Sequence, residues 1–157
     1  MSKKCINSPI GPLTLTAGEN GIISVTFEKT DANDDFTLLN EAEKQLSQYF
    51  SGKRREFSLP LDMRGTPFQI KVWNALLKIP YGQTASYKDI ACAVGNSKAC
   101  RAVGNANNKN PLPILIPCHR VIGSNAALTG YAGGLEVKKF LLDLEKKSSQ
   151  NKNLRQC

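Results

Sequence analysis

The sequence predicts an α/β protein with two domains. Residues 1–62 form a small N-terminal α/β domain of hairpin or sheet plus helix, and residues 63–147 form a mainly helical domain with a helix-turn-helix-like element. Two observations support this assignment. Apolar side chains alternate in residues 13–27, as in strands, and two short helical patterns flank Gly95. The polar residues 148–157 are expected to form a flexible tail.

The N-terminal domain combines a hairpin with a helix. Residues 13–27 alternate on both sides of the turn Gly18-Glu19-Asn20-Gly21, which predicts two antiparallel strands. Apolar side chains then recur at helical spacing from Leu39 to Phe50, and Gly52 is expected to cap that helix in the left-handed conformation. Residues 55–59 are predicted as one further strand. This domain shows no candidate site.

Capping patterns predict where helices begin in the second domain. Thr66-Pro67-Phe68-Gln69 combines a capping threonine, a proline at the first helical position and a glutamine that completes a capping box. Ser86-Tyr87-Lys88-Asp89 is a second such pattern and begins a short helix ending at Val94. A third helix, Lys98 to Ala106, surrounds the single cation Arg101 with small residues. Small side chains allow a helix backbone to approach a partner closely.

A last helix is predicted from a packed apolar stripe. The stripe consists of Val137, Phe140, Leu141 and Leu144. Asp143 and Glu145 fall on its opposite flanks, and lysines such as Lys138 are expected to be solvated.

Composition narrows the class of protein. The chain has 157 residues, is 41% hydrophobic and carries a net charge of +8. It is long enough to bury a core, and no apolar stretch is long enough to span a membrane. The N-terminus lacks a secretory apolar segment, so we expect a cytoplasmic protein. No carboxylate occurs between Asp89 and Glu136, whereas the cations Lys98, Arg101, Lys109 and Arg120 do. This charge distribution indicates an anionic partner such as nucleic acid.

The cysteines indicate a reducing compartment. They number five, an odd count, and show no Cys-x-x-Cys spacing. With a single histidine, a tetrahedral metal site is disfavoured, so we predict no metal and no cofactor.

Cys118 and the only histidine, His119, follow the proline-stiffened apolar run of residues 111–117. A nucleophilic cysteine needs a base to take its proton and a third group to orient that base. On an extended chain the two side chains would point to opposite faces, which favours a bridging water. Asp143 and Glu145 are both candidate orienters, and helical geometry does not choose between them. The alternative is a buried structural thiol beside a hydrogen-bonded loop histidine.

The wider pattern resembles the O6-alkylguanine-DNA alkyltransferase family. The motif Pro117-Cys118-His119-Arg120-Val121, preceded by Asn110-Pro111 and by Arg101-Ala102-Val103-Gly104, carries the resemblance, which extends from about residue 65 to 145. It implies irreversible, single-turnover transfer of the alkyl group from O6-alkylguanine, and less efficiently from O4-alkylthymine, in flipped-out bases of duplex DNA.

The resemblance also implies roles for individual residues. Cys118 is the alkyl acceptor, His119 the base acting through water, and Glu145 the orienter in preference to Asp143. Tyr87 donates a proton or hydrogen bond to the departing guanine.

The remaining implied roles concern the lesion and the duplex. Carbonyls of Cys118 and Val121 accept from the guanine amino group, the Ala132 N–H meets O6 and Tyr131 walls the pocket. Arg101 fills the gap left by the flipped nucleotide among the small residues Ala99, Ala102 and Gly104, and Asn110 is a hinge. The implied partner is double-stranded DNA bound by a monomer, with cooperative binding left open and no membrane.

Two other classes remain open. One is a non-catalytic lesion-binding module, which would be expected to lack the reactive cysteine. The other is a cysteine hydrolase acting on esters, against which the helix-turn-helix-like segment argues.

Overall fold

The computed structural model describes residues 1–123, 130–131 and 133–156, with side chains of the last helix up to residue 149. Contacts divide the chain into two units. The first contains residues 1–64 and 111–115, and the second contains residues 65–110 and 116–157. Residues 111–115 were expected within the second domain and instead group with the first. The predicted α/β class is confirmed, with an N-terminal sheet plus helix and a helical second part.

The first unit is a three-stranded antiparallel sheet with one helix packed against it. Strands β1 (Ser2–Ile6), β2 (Leu13–Gly18) and β3 (Gly21–Thr26) pair in that order, and helix α1 spans Thr37–Phe50. Their contact buries an apolar core. Its fully buried members include Leu13, Leu15, Ala17, Ile22, Leu39, Leu46 and Tyr49.

The predicted hairpin is confirmed as β2 and β3, and Gly52 ends α1 with φ of 78°. Strand β1 was not predicted, because its two lysines obscure the alternation expected of a strand. The strand predicted at residues 55–59 is wrong. The chain reaches the sheet only afterwards, where Leu61 forms a parallel bridge with Ile22.

The second unit is mainly helical. In chain order it contains α2 (Pro67–Leu76), β4 (Ala85–Ser86), α3 (Tyr87–Ala93), α4 (Cys100–Asn108), a 3-10 turn (Cys118–Arg120), β5 (Val121–Ile122) and α5 (Leu135–Gln156). Helix α2 packs against α3 and α4, and the Trp73 indole donates to the Ala106 carbonyl at 2.9 Å. Strands β4 and β5 form a short parallel pair.

Both predicted capping boxes are confirmed. The side chains of Thr66 and Ser86 accept from the backbone N–H three residues later, and Gln69 and Asp89 return the bond. Helices α3 and α4 flank Gly95, whose φ of 85° gives the sharp turn between them. Helix α4 spans Cys100–Asn108, so it begins and ends two residues later than predicted.

Helix α5 differs most from expectation. Its buried face consists of Lys138, Leu141 and Glu145, whereas Phe140 is exposed. The helix is therefore rotated relative to the predicted apolar stripe. It also extends to Gln156, so most of the expected tail at residues 148–157 is helical. Among the described residues no helix is both long and apolar enough to cross a membrane.

Thr66→Ala should lower the free energy of unfolding by about 1 kcal/mol, because the first turn of α2 loses its side-chain acceptor. Chemical denaturation with a fluorescence readout measures this change. Thr84→Ala, in an exposed loop outside the helices, is the matched control and should change little. Equal losses in both variants would contradict the capping role.

Candidate active site

Cys118 and His119 lie on a tight turn that the sequence did not predict. The Cys118 N–H donates to the Ile116 carbonyl at 2.7 Å, and the Arg120 N–H donates to the Pro117 carbonyl at 3.1 Å. The chain forms a 3-10 turn here, so the geometry of an extended chain, with the two side chains on opposite faces, does not apply. The 3-10 turn buries Cys118, His119 and Arg120 together.

The structure chooses Glu145 as the partner of the imidazole. His119 Nε2 lies 2.6 Å from Glu145 Oε2, and both side chains are buried. Asp143 faces solvent and pairs with Lys139 one turn earlier. One of the two candidate orienters is thereby removed by the rotation of α5.

Arg120 is a site residue that the sequence analysis missed. Its guanidinium donates to both oxygens of Glu145, at 2.8 and 3.0 Å, and to the Ile79 carbonyl at 2.7 Å. It was expected among cations available to an anionic partner, and its burial against Glu145 corrects that expectation. Its position beside His119 could have indicated this role. A buried arginine requires a carboxylate, and the carboxylate that orients His119 lies nearby.

The Glu145 carboxylate is ionised within this cluster. Burial works against its charge, but hydrogen bonds and charge from His119 and Arg120 lower its pKa to about 2. The Gly82 N–H adds a longer contact of 3.4 Å. This carboxylate thus receives donors from two separate segments of the second unit, the 3-10 turn and the turn at Gly82.

Burial favours the neutral form of the His119 imidazole. Burial lowers its pKa, although the hydrogen bond and charge of Glu145 oppose this. An ionised Glu145 accepts from Nε2–H, so the neutral ring leaves Nδ1 as an acceptor. Nδ1 is buried and makes no hydrogen bond to any described residue. The ring therefore presents a basic nitrogen for a small donor such as water.

Cys118 is a protonated thiol in this state. Burial raises its pKa to about 11, opposed by a hydrogen bond from Asn110 and by the charge of Lys138. Asn110 also donates from Nδ2 to the Ile116 carbonyl at 2.9 Å. This bond joins the segment that follows α4 to Ile116, two residues before the active-site turn.

Lys138 is a second residue that the sequence analysis missed. It was expected in solvent, yet it is fully buried, and its Nζ donates to the Val121 carbonyl at 2.6 Å. The signal that could have found it is helical spacing, since Lys138 lies seven residues before Glu145 and so shares its face.

Tyr131 belongs to the same cluster, and Ala132 lies outside the described residues. The Tyr131 hydroxyl is buried, and burial together with the charges of Cys118 and Glu145 raises its pKa. The site thus gathers six predicted residues. They are Cys118, His119, Glu145, Asn110, Val121 and Tyr131.

The remaining predicted residues lie on or beside α4. Arg101 and Ala102 are exposed, whereas Ala99 and Gly104 are half-buried. A Cβ on Gly104 would lie 3.9 Å from the Tyr87 ring, so that ring packs beside α4. These residues form a surface around an exposed cation.

A metal role receives no support from the described part of the chain. There, no three side chains of His, Cys, Asp or Glu are grouped so that they could hold a metal ion.

Comparisons with known proteins cover nearly the whole chain. A family model described as "6-O-methylguanine DNA methyltransferase, DNA binding domain" matches residues 67–147. A second model, "6-O-methylguanine DNA methyltransferase, ribonuclease-like domain", matches residues 1–63.

Curated relatives and solved structures agree with these matches. The chain is 50% identical to the constitutive methylated-DNA–protein-cysteine methyltransferase of Bacillus subtilis over 92% of this chain and 95% of that one. It is 51% identical to the Methanosarcina barkeri methyltransferase of the same name, over 89% and 94%. The crystal structure of Mycobacterium tuberculosis OGT in complex with DNA aligns with a TM-score of 0.87 at 45% identity, over 94% of each chain.

Glu145→Gln should destabilise the protein by about 3 kcal/mol at neutral pH, because it leaves a buried guanidinium without its counter-charge. The stability that the wild-type carboxylate contributes is fully present above pH 4.5 and is lost as pH falls towards about 2, since its pKa is lowered on folding. Denaturant titrations across pH should show the gap between variant and wild type closing in that window.

Asp143→Asn is the control for this prediction. It removes a carboxylate from the same helix, but an exposed one, so it should change stability by less than about 1 kcal/mol. A constant gap between Glu145→Gln and wild type from pH 7 to pH 2 would show that the charge of Glu145 is not the cause.

Proposed function

Because this chain belongs to the 6-O-methylguanine DNA methyltransferase family, we propose that Cys118 is the cysteine that accepts the alkyl group. The protein repairs DNA by direct, irreversible transfer of an alkyl group from O6-alkylguanine to one of its own cysteines. In this proposal O4-alkylthymine is a poorer substrate, and the protein acts on duplex DNA as a monomer.

The observation that carries the proposal is the buried contact from His119 to Glu145 beside Cys118. Of the four cysteines within the described residues, Cys118 is the one classed as buried and the one adjacent to an imidazole. Cys5 and Cys100 are half-buried, and Cys92 is exposed. A thiol with a neutral imidazole and an orienting carboxylate is the arrangement that nucleophilic catalysis requires.

The proton path follows from the imidazole. Glu145 accepts from Nε2–H, so Nδ1 receives the thiol proton through a water molecule. The thiolate sulfur then attacks the alkyl carbon on guanine O6. The sulfur–carbon bond forms as the carbon–oxygen bond breaks, and guanine departs with the electron pair. The products are S-alkyl cysteine and guanine. A thioether has no good leaving group, so each molecule of protein acts once.

Burial has opposite effects on the two halves of this reaction. It raises the pKa of Cys118 to about 11, which makes the thiolate scarce. It also removes water that would solvate the thiolate, so a thiolate formed there is strongly nucleophilic. Coupling deprotonation to the imidazole when the substrate is bound resolves the conflict.

The leaving guanine needs a proton or a hydrogen bond. We assign this role to the Tyr87 phenol, which stands at the start of α3 beside Gly104. The carbonyls of Cys118 and Val121 accept from the guanine amino group, the Ala132 N–H meets O6, and Tyr131 walls the pocket.

The second unit provides the DNA-binding surface in this proposal. Residues 65–157 contain thirteen Lys and Arg against four Asp and Glu, so the whole positive excess of the chain lies there. Arg101 projects from the exposed small-residue face of α4. Reaction at a base edge requires the base to leave the stack, and an arginine inserted from the minor groove fills the gap.

Asn110 links DNA binding at α4 to alkyl transfer at Cys118. It lies two residues after the end of α4, donates to the Ile116 carbonyl and hydrogen bonds to the Cys118 sulfur. We assign it the role of a hinge that holds the DNA-binding helix and the acceptor turn in register.

Cys118→Ala should abolish alkyl transfer while retaining most of the DNA affinity, because the thiol is buried whereas Arg101 and Ala102 of α4 are exposed. Incubation with O6-methylguanine duplex followed by peptide mass analysis should place one added methylene on the wild-type Cys118 peptide. Cys92→Ala, which removes an exposed thiol, should react like wild type. A methylene on another cysteine, or lesion binding with no adduct, would reject the assignment.

Arg101→Ala should slow repair of duplex DNA by about tenfold or more at saturating protein, because extrusion of the base costs a few kcal/mol. Methyl transfer from the free O6-methylguanine base, which needs no extrusion, should be nearly unchanged. Lys98→Ala removes the same charge just before α4. Its defect should disappear at saturation, as expected for a phosphate contact. Equal losses for Arg101→Ala on duplex and free base would contradict an extrusion role.

A further inference from the structure

Lys138 is placed unusually for a lysine. It is 0% exposed, whereas its neighbour Lys139 lies largely in solvent. Burial of an ammonium is costly, and burial lowers the pKa of Lys138, an effect that the nearby Cys118 opposes. A residue held at such a cost fulfils a specific requirement of the site.

That requirement is visible at the Val121 carbonyl. Val121 is fully buried, and an unpaired carbonyl there would carry a full desolvation penalty. The Lys138 ammonium removes the penalty with a charge-assisted bond of 2.6 Å. The proposed function assigns the same carbonyl to the amino group of the bound guanine. The Val121 carbonyl thus has two alternative donors. They are the Lys138 ammonium before the base binds and the guanine amino group afterwards.

Simultaneous bonding of both donors is disfavoured. An ammonium and a guanine amino group both direct positive charge at the oxygen and repel each other when they stand side by side. The first, short bond also weakens the oxygen as an acceptor for a second donor. The four-carbon side chain of lysine is flexible, so the ammonium is the donor that is able to move.

We propose that Lys138 is a specificity-determining residue that sets how strongly the site distinguishes purines by their 2-amino group. Its ammonium occupies the Val121 carbonyl while the site is empty, and the 2-amino group of O6-alkylguanine replaces it. A purine without that group leaves the ammonium in place, so the carbonyl stays paired with either substrate. The lysine therefore reduces the loss of transfer rate that a substrate without the 2-amino group would otherwise show. This inference rests on the proposed function.

The test compares two duplexes that differ only at the lesion. One contains O6-methylguanine, and the other contains O6-methylhypoxanthine, which lacks the 2-amino group. Single-turnover rate constants for methyl transfer are measured for wild type, Lys138→Met and Lys138→Gln. Lys139→Met is the matched control, because it removes an exposed ammonium from the adjacent position.

In Lys138→Met the Val121 carbonyl has no ammonium, so only guanine pairs it. The preference for O6-methylguanine over O6-methylhypoxanthine should rise about tenfold above the wild-type ratio, the equivalent of one hydrogen bond to a buried acceptor. Lys138→Gln retains a neutral donor and should give an intermediate ratio. Lys139→Met should keep the wild-type ratio. Because both rates come from the same variant, a partly unfolded fraction cancels in the ratio.

Failure of the Lys138 inference can be distinguished from failure of the proposed function. If wild type transfers methyl groups but the ratio in Lys138→Met is unchanged or reduced, the ammonium does not compete with the base and this inference is overturned. If Lys138→Met does not fold, a wild-type ratio in Lys138→Gln overturns it equally. If wild type transfers no methyl group from O6-methylguanine, the proposed function itself fails.

Discussion

The carboxylate of Glu145 is the interaction on which the second unit's active site depends. It lies on α5, and its donors come from two other segments, the 3-10 turn with His119 and Arg120 and the turn at Gly82. A buried carboxylate is stable only when its acceptor sites are filled, and here the donors lower its pKa to about 2. The same contacts fix the tautomer of His119. One ion pair therefore both holds the segments together and prepares the base.

The site is built around buried charge rather than around an open polar surface. Arg120 compensates Glu145, while Lys138 stands near the thiol of Cys118. Before a base is bound, this arrangement keeps the thiol protonated and the imidazole neutral. In the proposed function Cys118 is the nucleophile, so this arrangement protects it until a substrate enters, which suits a protein that is consumed by a single reaction.

The two units differ in charge and in the features that they carry. The first unit contains nearly equal numbers of acidic and basic residues and a conventional apolar core between sheet and helix. The second carries the positive excess, the exposed face of α4 and the acceptor cluster. Asn110 lies between the last two, because it follows α4 by two residues and donates to the carbonyl of Ile116, two residues before the acceptor turn. In the proposed function, Asn110 therefore links the DNA-binding surface to the acceptor turn within one unit.

The sequence was sufficient wherever a structural feature depends on neighbouring residues. The capping boxes at Thr66 and Ser86 and the β2–β3 hairpin are encoded within a few positions, and the family resemblance followed from a short motif. Prediction from the sequence failed for β1 and for the 3-10 turn, and it failed most clearly for the rotation of α5. Apolar spacing placed Phe140 inside and Lys138 outside, whereas the fold does the reverse. Burial of Lys138 and Arg120 becomes favourable only when a distant carbonyl and a carboxylate 25 residues away meet them in space. Pairing of buried charges between residues distant in the sequence produces no periodic pattern, so it could not be predicted from apolar spacing.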